Sequence, residues 1–108
     1  MKVSLPKPIA KYFAADLVDA NAVAECFTED AVVVDENHTY TGRDAIRRWK
    51  ESATRRYKYT SRPIASEEQG GKTVVTSRLT GDFPGSPVDL RYIFELDGGR
   101  IAALEITS

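Results

Sequence analysis

The fold is decided by residues 88–107, VDLRYIFELDGGRIAALEIT. Apolar residues alternate with polar ones in the first half, which places Leu90, Tyr92 and Phe94 on one side of a strand. Residues 97–99 then supply a turn, and a second apolar run follows. The stretch therefore predicts an antiparallel hairpin with one face turned toward the core.

The register of this hairpin depends on where Glu105 is placed. A three-residue loop, 97–99, puts Tyr92 opposite Leu104 and Arg91 opposite Glu105. A two-residue loop would instead put the Glu105 carboxylate on the apolar face beside Tyr92, where its unpaired burial is costly. We therefore predict the three-residue loop.

The period of two begins near Tyr57, upstream of the hairpin. Glycine-rich and proline-rich breaks divide the second half of the chain into four predicted strands, at about 57–67, 72–82, 88–96 and 100–107. The break at residues 83–87, FPGSP, is apolar and contains a glycine. It could be a lid over a pocket, and it could equally be a rigid turn.

The first half of the chain has helical spacing. Apolar residues recur on one helix face after the prolines at positions 6 and 8: Ile9, Tyr12, Phe13, Leu17 and Ala20. A break at residues 19–21 starts a short second helix, residues 31–36 form a strand, and residues 37–40 form a turn or edge segment. A third helix is predicted from Arg43 to Arg56.

These elements predict an α+β fold in the order α-α-β-α-β-β-β-β. Three N-terminal helices are expected to cover one face of a curved antiparallel sheet. The length of 108 residues, with 42% hydrophobic and 29% charged residues, predicts one domain over residues 1–108 and argues against disorder.

Several function classes are disfavoured by composition. Cys26 is the only cysteine and His38 the only histidine, so an internal disulfide is excluded and no metal site is expected. We predict no cofactor. The longest apolar run is residues 31–34, and no secretory signal is visible, which predicts a cytoplasmic protein without membrane contact.

Charge is unevenly distributed along the chain. Residues 43–62 carry eight basic and two acidic side chains, a net charge of +6, whereas the whole chain carries −1. A basic stretch can mark a nucleic-acid site. We prefer a solvated helix face, because Asp44 comes early and the cations come late in the third helix, as the helix dipole favours. No nucleic-acid partner is therefore expected.

Three short motifs resemble one known group of proteins. They are TEDAVVVD at residues 28–35, TGRDAI at residues 41–46 and DGGRI at residues 97–101. With the element order, they resemble the nuclear transport factor 2-like (NTF2-like) superfamily, in particular its SnoaL-like bacterial members, over nearly the whole chain. The resemblance implies a cone-shaped fold with an apolar pocket. The superfamily holds isomerases, cyclases, dehydratases, hydrolases and non-catalytic binding domains, so it does not select a reaction.

The ketosteroid isomerases of this superfamily can be compared residue by residue. The comparison places their general base on Asp35, a pocket aromatic on Trp49 and a pocket residue of the last strand on Leu104. Tyr92 falls where they have a protonated acid in the oxyanion hole, and a tyrosine hydroxyl can also donate. Their oxyanion tyrosine falls on Ala14, which has no donor, and this argues against steroid isomerase activity.

Asp35 is the strongest candidate for a catalytic residue. A charge that ends a valine-rich strand, on the face shared by Ala31 and Val33, predicts a general base in an apolar pocket with a raised pKa. The alternative is a polar strand end turned to solvent. His38 is a candidate proton shuttle beside Asp35, or simply an exposed residue.

We therefore predict a small-molecule-binding protein with an apolar pocket. The catalytic candidates are Asp35, Tyr92 and His38, and the expected ligand-binding residues are Phe13, Leu17, Tyr40, Trp49, Leu90 and Leu104. Such a site suits a cofactor-free acid–base enzyme of isomerase, cyclase or dehydratase type acting on a small hydrophobic substrate. The alternative is a non-catalytic domain for ligand binding or protein interaction.

A homodimer is expected through the outer face of the sheet. Ile93, Ile101 and Ala103 are predicted to face away from the helices, next to Val74 or Val75. An exposed apolar patch of this kind marks an interface. Many members of the superfamily pair in this way, which supports the expectation.

Overall fold

The computed structural model describes residues 4–108, in which three helices and six strands form an α+β structure. In chain order the elements are α1 (Lys7–Ala15), α2 (Ala20–Ala24), β1 (Phe27–Asp35), β2 (His38–Thr41), α3 (Arg43–Arg56), β3 (Tyr59–Gln69), β4 (Lys72–Gly81), β5 (Val88–Asp97) and β6 (Arg100–Thr107). The predicted bounds of α3 are confirmed, and the four C-terminal strands lie within two residues of the predicted positions.

The six strands form one mixed sheet in the order β2-β1-β6-β5-β4-β3. All neighbours are antiparallel except β1 and β6, which are parallel. The prediction of a wholly antiparallel sheet is therefore wrong at this pair. Short turns dictate antiparallel pairing only between strands that follow each other, and β1 and β6 are separated by α3 and four strands.

Strand β2 is an element that the predicted order lacks. Glu36 and Asn37 form a two-residue turn with φ of 52° and 64°, which pairs Asp35 with His38. Both values are those of a type I′ hairpin, whose twist suits the flanking strands. Such turns normally carry asparagine, aspartate or glycine at the first position. Glu36 occupies that position here, so the residue pattern contained no signal for a hairpin.

Helix α1 is shorter than its apolar pattern suggested. It ends at Ala15, and Leu17 lies beyond it with 73% of its surface exposed. The expected placement of Leu17 on a buried helix face is therefore wrong. The predicted break is confirmed, because Asp19 caps α2 by accepting a hydrogen bond from the Ala22 backbone N–H at 2.8 Å.

The predicted register of the last hairpin is also wrong. Gly98 and Gly99, at φ of 57° and 89°, make a two-residue turn, and the register shifts between Glu95 and Leu96. Phe94 consequently lies opposite Leu104, Ile93 opposite Glu105, Tyr92 opposite Ile106 and Arg91 opposite Thr107. The bulge shifts the strand by one residue, which keeps Glu105 exposed, as the burial argument required.

The same bulge changes the face on which one expected interface residue lies. Ile101 and Leu104 are both buried in the core, although three positions separate them. Val75 also belongs to the core, whereas Val74 lies opposite Ile93 on the other face. The outer-face patch is therefore narrower than predicted and lacks Ile101.

The core joins α1 to the inner face of the sheet through aromatic rings. Tyr12 on α1 makes edge contacts with Phe27 and Phe94 at centroid distances of 5.9 Å and 5.6 Å. Phe13 lies 5.4 Å from the ring of Tyr92. Burying large aromatic side chains supplies much of the driving force for such a small domain. None of the helices in residues 4–108 has the length and apolar character needed to span a lipid bilayer.

The left-handed conformation of Glu36 gives a stability prediction. A residue with a Cβ is destabilised by about 1 kcal/mol in the left-handed backbone conformation, and asparagine is destabilised less. Glu36→Asn should therefore raise the melting temperature by a few degrees in a calorimetric scan. Glu36→Ala is the control, because it removes the same exposed carboxylate but retains the backbone cost. An equal melting temperature for the two variants would show that the turn is unstrained.

Candidate functional site

A cavity of about 440 Å³ lies between α3 and the inner face of the sheet. Its wall combines aromatic rings with two acids and two cations: Asp35, Glu36, Tyr40, Trp49, Lys50, Ser52, Ala53, Arg56, Tyr57, Tyr59, Leu79, Phe83, Pro84, Val88, Leu90, Tyr92 and Ile106. This volume falls in the range of small-molecule sites, and a mostly apolar wall with a few polar groups is typical of them.

Asp35 reaches the cavity because it ends β1 on the face shared with the buried residues Ala31 and Val33. The indole N–H of Trp49, in the middle of α3, donates to Asp35 Oδ2 at 3.0 Å. Desolvation raises the pKa of the Asp35 carboxyl above its ordinary value of 3.8, although the indole and the charge of Lys50 oppose the shift. A half-buried carboxylate with a raised pKa in a cavity has the properties of a general base.

Lys50 is a second buried charge in the same wall. Its side chain is only 5% exposed; it forms an ion pair with Asp16 and donates to the Tyr59 hydroxyl at 2.8 Å. Its ammonium also lies 5.3 Å from the ring centroids of both Trp49 and Tyr59. Burial opposes the charge, but Asp16 and Tyr59 outweigh burial and raise the lysine pKa. Lys50 is therefore a cation, not a free amine nucleophile.

Tyr92 forms part of the sheet-side wall and is almost completely buried. Desolvation raises the pKa of its hydroxyl well above 10, and the nearby Ser61 hydroxyl partly offsets this. Ser61 in turn lies 2.6 Å from Ser77, oxygen to oxygen. The Tyr92 hydroxyl thus lies close to the Ser61–Ser77 pair of the sheet.

The structure brings together part of the predicted site. Asp35, Tyr40, Trp49, Leu90 and Tyr92 all line the cavity. Phe13 and Leu104 are buried in the core cluster, outside the lining of the cavity.

Two predicted residues lie away from the cavity. Leu17 is exposed beyond the end of α1, and His38 is exposed on β2. His38 Nδ1 donates to the Glu36 backbone carbonyl at 3.0 Å, which turns the ring toward the hairpin. The position of His38 does not support a proton shuttle beside Asp35.

Sequence reasoning missed the cations and several rings of the wall. Lys50 follows the buried Ile46 by four positions, so helical spacing places it on the apolar face. That spacing was the signal for a buried lysine. Tyr59 and Ser61 alternate into the same face of β3, and Phe83 closes the cavity by contacting Tyr57 at a centroid distance of 6.0 Å.

Within residues 4–108 no cluster of three or more acidic, histidine or cysteine side chains could hold a metal ion. The grouping of Asp35, Glu36 and His38 along the hairpin therefore does not form a chelating set.

Comparison with known proteins gives the family. The sequence profile of the SnoaL-like domain matches residues 9–104, which is most of the chain. The chain belongs to the SnoaL-like domain family. A crystal structure from Sinorhizobium meliloti, of a protein provisionally assigned as a polyketide cyclase, is 43% identical over 95% of both chains, with a TM-score of 0.90.

More distant structures share the fold. A Catenulispora acidiphila protein with a ketosteroid isomerase-like fold, in complex with trimethylamine, is 19% identical over 97% of this chain and 87% of that chain, with a TM-score of 0.85. The epoxide hydrolase/cyclase-like enzyme SalBIII, which has a role in pyran ring formation in salinomycin, is 21% identical over 93% of this chain and 86% of its own, with a TM-score of 0.78. No protein with a curated description matches the chain.

The raised pKa of Asp35 predicts a definite dependence of stability on pH. The folded state holds the Asp35 proton more tightly than the unfolded state, so the free energy of unfolding falls as the pH rises through the raised pKa. Asp35→Asn removes this loss of stability and keeps a side-chain oxygen that accepts the hydrogen bond from the Trp49 indole. We expect the variant to match or exceed the wild-type urea midpoint at pH 7.

The difference should disappear well below pH 3.8, where the carboxyl is neutral in both the folded and the unfolded state. Urea unfolding across this pH range measures the effect. Asp30→Asn, an exposed aspartate of the same strand, serves as the control. A variant that is less stable than the wild type at pH 7 would show that the Asp35 carboxylate has a structural role.

Proposed function

We propose that this SnoaL-like protein binds a small, largely apolar ligand in the cavity and that Asp35 acts on it as a general base. The observation that carries the proposal is the Asp35 carboxylate, which lines an aromatic cavity, is held by Trp49 and has a raised pKa. A base in such a site is poised to take a proton when a ligand excludes water.

The reaction that fits this arrangement is proton abstraction from carbon next to a carbonyl. The proton passes to the Asp35 carboxylate, and the electron pair of the C–H bond moves to the carbonyl oxygen to give an enolate. Return of the proton at another carbon gives an isomer, loss of a neighbouring leaving group gives an elimination, and attack by the enolate carbon closes a ring. The protein supplies the base and the enclosure for each outcome.

The shape of the wall favours a flat ligand. Trp49 and Tyr40 lie with their ring centroids 6.1 Å apart on one side, and Leu90 and Tyr92 come from the sheet. Aromatic faces bury large apolar areas and prefer offset contacts with other rings. A planar ketone or polyphenol-like molecule meets these surfaces better than a flexible or strongly charged one.

Non-catalytic ligand binding is the alternative function. It is favoured by the two residues that cannot supply the expected chemistry, because Ala14 carries no donor and His38 points away from the cavity. The protein would then hold its ligand without turnover. Replacement of Asp35 separates the two functions.

We also propose a homodimer through the outer face of the sheet. Val74 and Ile93 lie opposite each other there, and Ala103 on β6 pairs with Val32 on β1. Together these four residues form an apolar strip across four strands, which we call the outer strip. Charged residues such as Arg91, Glu95 and Glu105 flank it, as at the rim of a protein interface.

Kemp elimination tests the general base without knowledge of the natural substrate. With 5-nitrobenzisoxazole, the base removes the ring C–H proton, the N–O bond breaks, and coloured 2-cyano-4-nitrophenolate forms. The wild-type protein should accelerate the reaction above free carboxylate, with a rate that rises with pH through the Asp35 pKa. Asp35→Asn should lower the rate about 10²-fold or more.

Asp30→Asn makes the same chemical change on the same strand outside the cavity, and it should retain the wild-type rate. Binding of the probe is followed separately by quenching of Trp49 fluorescence. Quenching without Asp35-dependent turnover would favour the binding function. Equal rates for wild type and Asp35→Asn would contradict the proposed base.

The dimer is tested by sedimentation equilibrium. Ile93→Glu places a carboxylate in the outer strip opposite Glu105, where an interface would bury two like charges, so the variant should be monomeric. Asn21→Glu on the exposed surface of α2 is the matched control and should remain dimeric. A monomeric wild-type protein at a concentration of about 0.1 mM would overturn the proposal.

A further inference from the structure

The buried Lys50–Tyr59 hydrogen bond is unexplained by the proposed base. Lys50 is carried on α3 next to Trp49, and its ammonium reaches Tyr59 at the start of β3. Both residues line the cavity. A protein that needed only apolar packing here would avoid a buried cation, because desolvation makes it costly.

Asp16 explains how the charge of Lys50 is tolerated. Asp16 is the C-terminal cap residue of α1, where the helix dipole disfavours a carboxylate. Its side chain is 9% exposed and is paired with Lys50. The ion pair therefore compensates the charge of both groups and holds the Lys50 ammonium against the Tyr59 oxygen.

The direction of this hydrogen bond determines what Tyr59 can do. An ammonium has donors only, so the Tyr59 oxygen must accept from Lys50. The phenolic proton of Tyr59 is then directed elsewhere, and no protein acceptor for it is found in residues 4–108. The cavity that Tyr59 lines is the remaining direction in which an acceptor can come. Donation by a cation also polarises the phenol and strengthens it as a donor.

Tyr92, the donor expected from the sequence, is placed less favourably. It is 4% exposed, and its hydroxyl is next to Ser61, which is itself bonded to Ser77. A ligand that uses Tyr92 must therefore compete with the sheet hydroxyl beside it. Lys50 instead holds the Tyr59 oxygen in place at the cavity wall.

We propose that Tyr59 donates the hydrogen bond that stabilises an anionic oxygen on the ligand, and that Lys50 and Asp16 are positioning residues for it. The ligand class is an enolate or phenolate whose oxygen lies at the α3–β3 side of the cavity, while its acidic carbon lies at Asp35. The inference rests on the proposed function for the origin of the enolate, but the recognition of a preformed phenolate requires no turnover.

The proposed step balances in atoms and charge. Asp35 takes the proton from carbon and becomes neutral, and the negative charge appears on the ligand oxygen. Tyr59 shares but retains its proton, and Lys50 remains an ammonium. The positive charge of Lys50 already acts on Asp35, so it lies close enough to favour the anion after the transfer.

Binding of 2-cyano-4-nitrophenolate to Asp35→Asn protein tests the inference. The amide stands for the neutral, protonated base, and the absorbance of the probe reports both binding and the fraction ionised. Adding Tyr59→Phe should weaken binding about 10- to 100-fold and lower the ionised fraction of the bound probe, because a hydrogen bond to a charge is lost. Tyr92→Phe in the same background should have a smaller effect on both readouts.

Lys50 is tested without leaving an unpaired buried charge. Lys50→Gln combined with Asp16→Asn removes both charges together, so the fold should persist, as circular dichroism would show. The pair of changes should lower the ionised fraction of the bound probe when Tyr59 is present. It should have little further effect in Tyr59→Phe protein, since the Lys50–Asp16 ion pair acts through that hydroxyl.

The outcomes separate this inference from the proposed base. A loss with Tyr92→Phe that equals or exceeds the loss with Tyr59→Phe would overturn the inference, as would failure of the Asp35→Asn protein to bind the phenolate. If Kemp elimination depends on Asp35 but Tyr59→Phe does not weaken phenolate binding, Asp35 is retained as the base and Tyr59 is rejected as the donor. If phenolate binding depends on Tyr59 but turnover does not depend on Asp35, Tyr59 is retained as the donor and Asp35 is rejected as the base.

Discussion

The hydrogen bond from the Trp49 indole to Asp35 is the constraint on which the site depends. It joins the middle of α3 to the last residue of β1, and it therefore fixes the distance between the helix and the sheet edge at the cavity. The tight Glu36–Asn37 turn directly after Asp35 ends the strand there and keeps the carboxylate on the inner face. Helix, strand end and turn thus position one side chain that none of them could position alone.

The parts of the fold that sequence patterns predicted are those set by local periodicity. Helix α3 has one apolar face and a basic end, and its bounds followed from these features. The parallel pairing of β1 with β6 did not, because no local pattern records which distant strands become neighbours. The hairpin register failed for a related reason: the bulge near Leu96 keeps Glu105 exposed by a route that alternation alone does not contain.

The candidate site was predictable to a similar degree. Asp35, Trp49 and Tyr92 were expected in one cavity and all line it, because each belongs to an inward face of a regular element. Leu17 was misplaced because Pro6 set the start of α1 while nothing in the apolar spacing marked its end at Ala15. Lys50 was read as part of a solvated basic stretch, since its partner Asp16 lies far away in sequence and is brought to it only by packing of α1.

The two charged residues Asp35 and Lys50 of the cavity wall show how one fold can carry different chemistry. Asp35 is a carboxylate whose burial opposes ionisation, whereas Lys50 keeps its charge because Asp16 compensates it. In the function that we propose, a base of raised pKa at one end and a compensated cation at the other polarise the site along the ligand, so that proton removal is favoured at Asp35 and negative charge near Tyr59. The fold supplies the cavity, and the side chains that α1, α3 and β3 place in or behind its wall set the charge at each end. Loss of a donor on α1, at Ala14, is therefore compatible with a stabilised oxyanion, provided that another element supplies the donor.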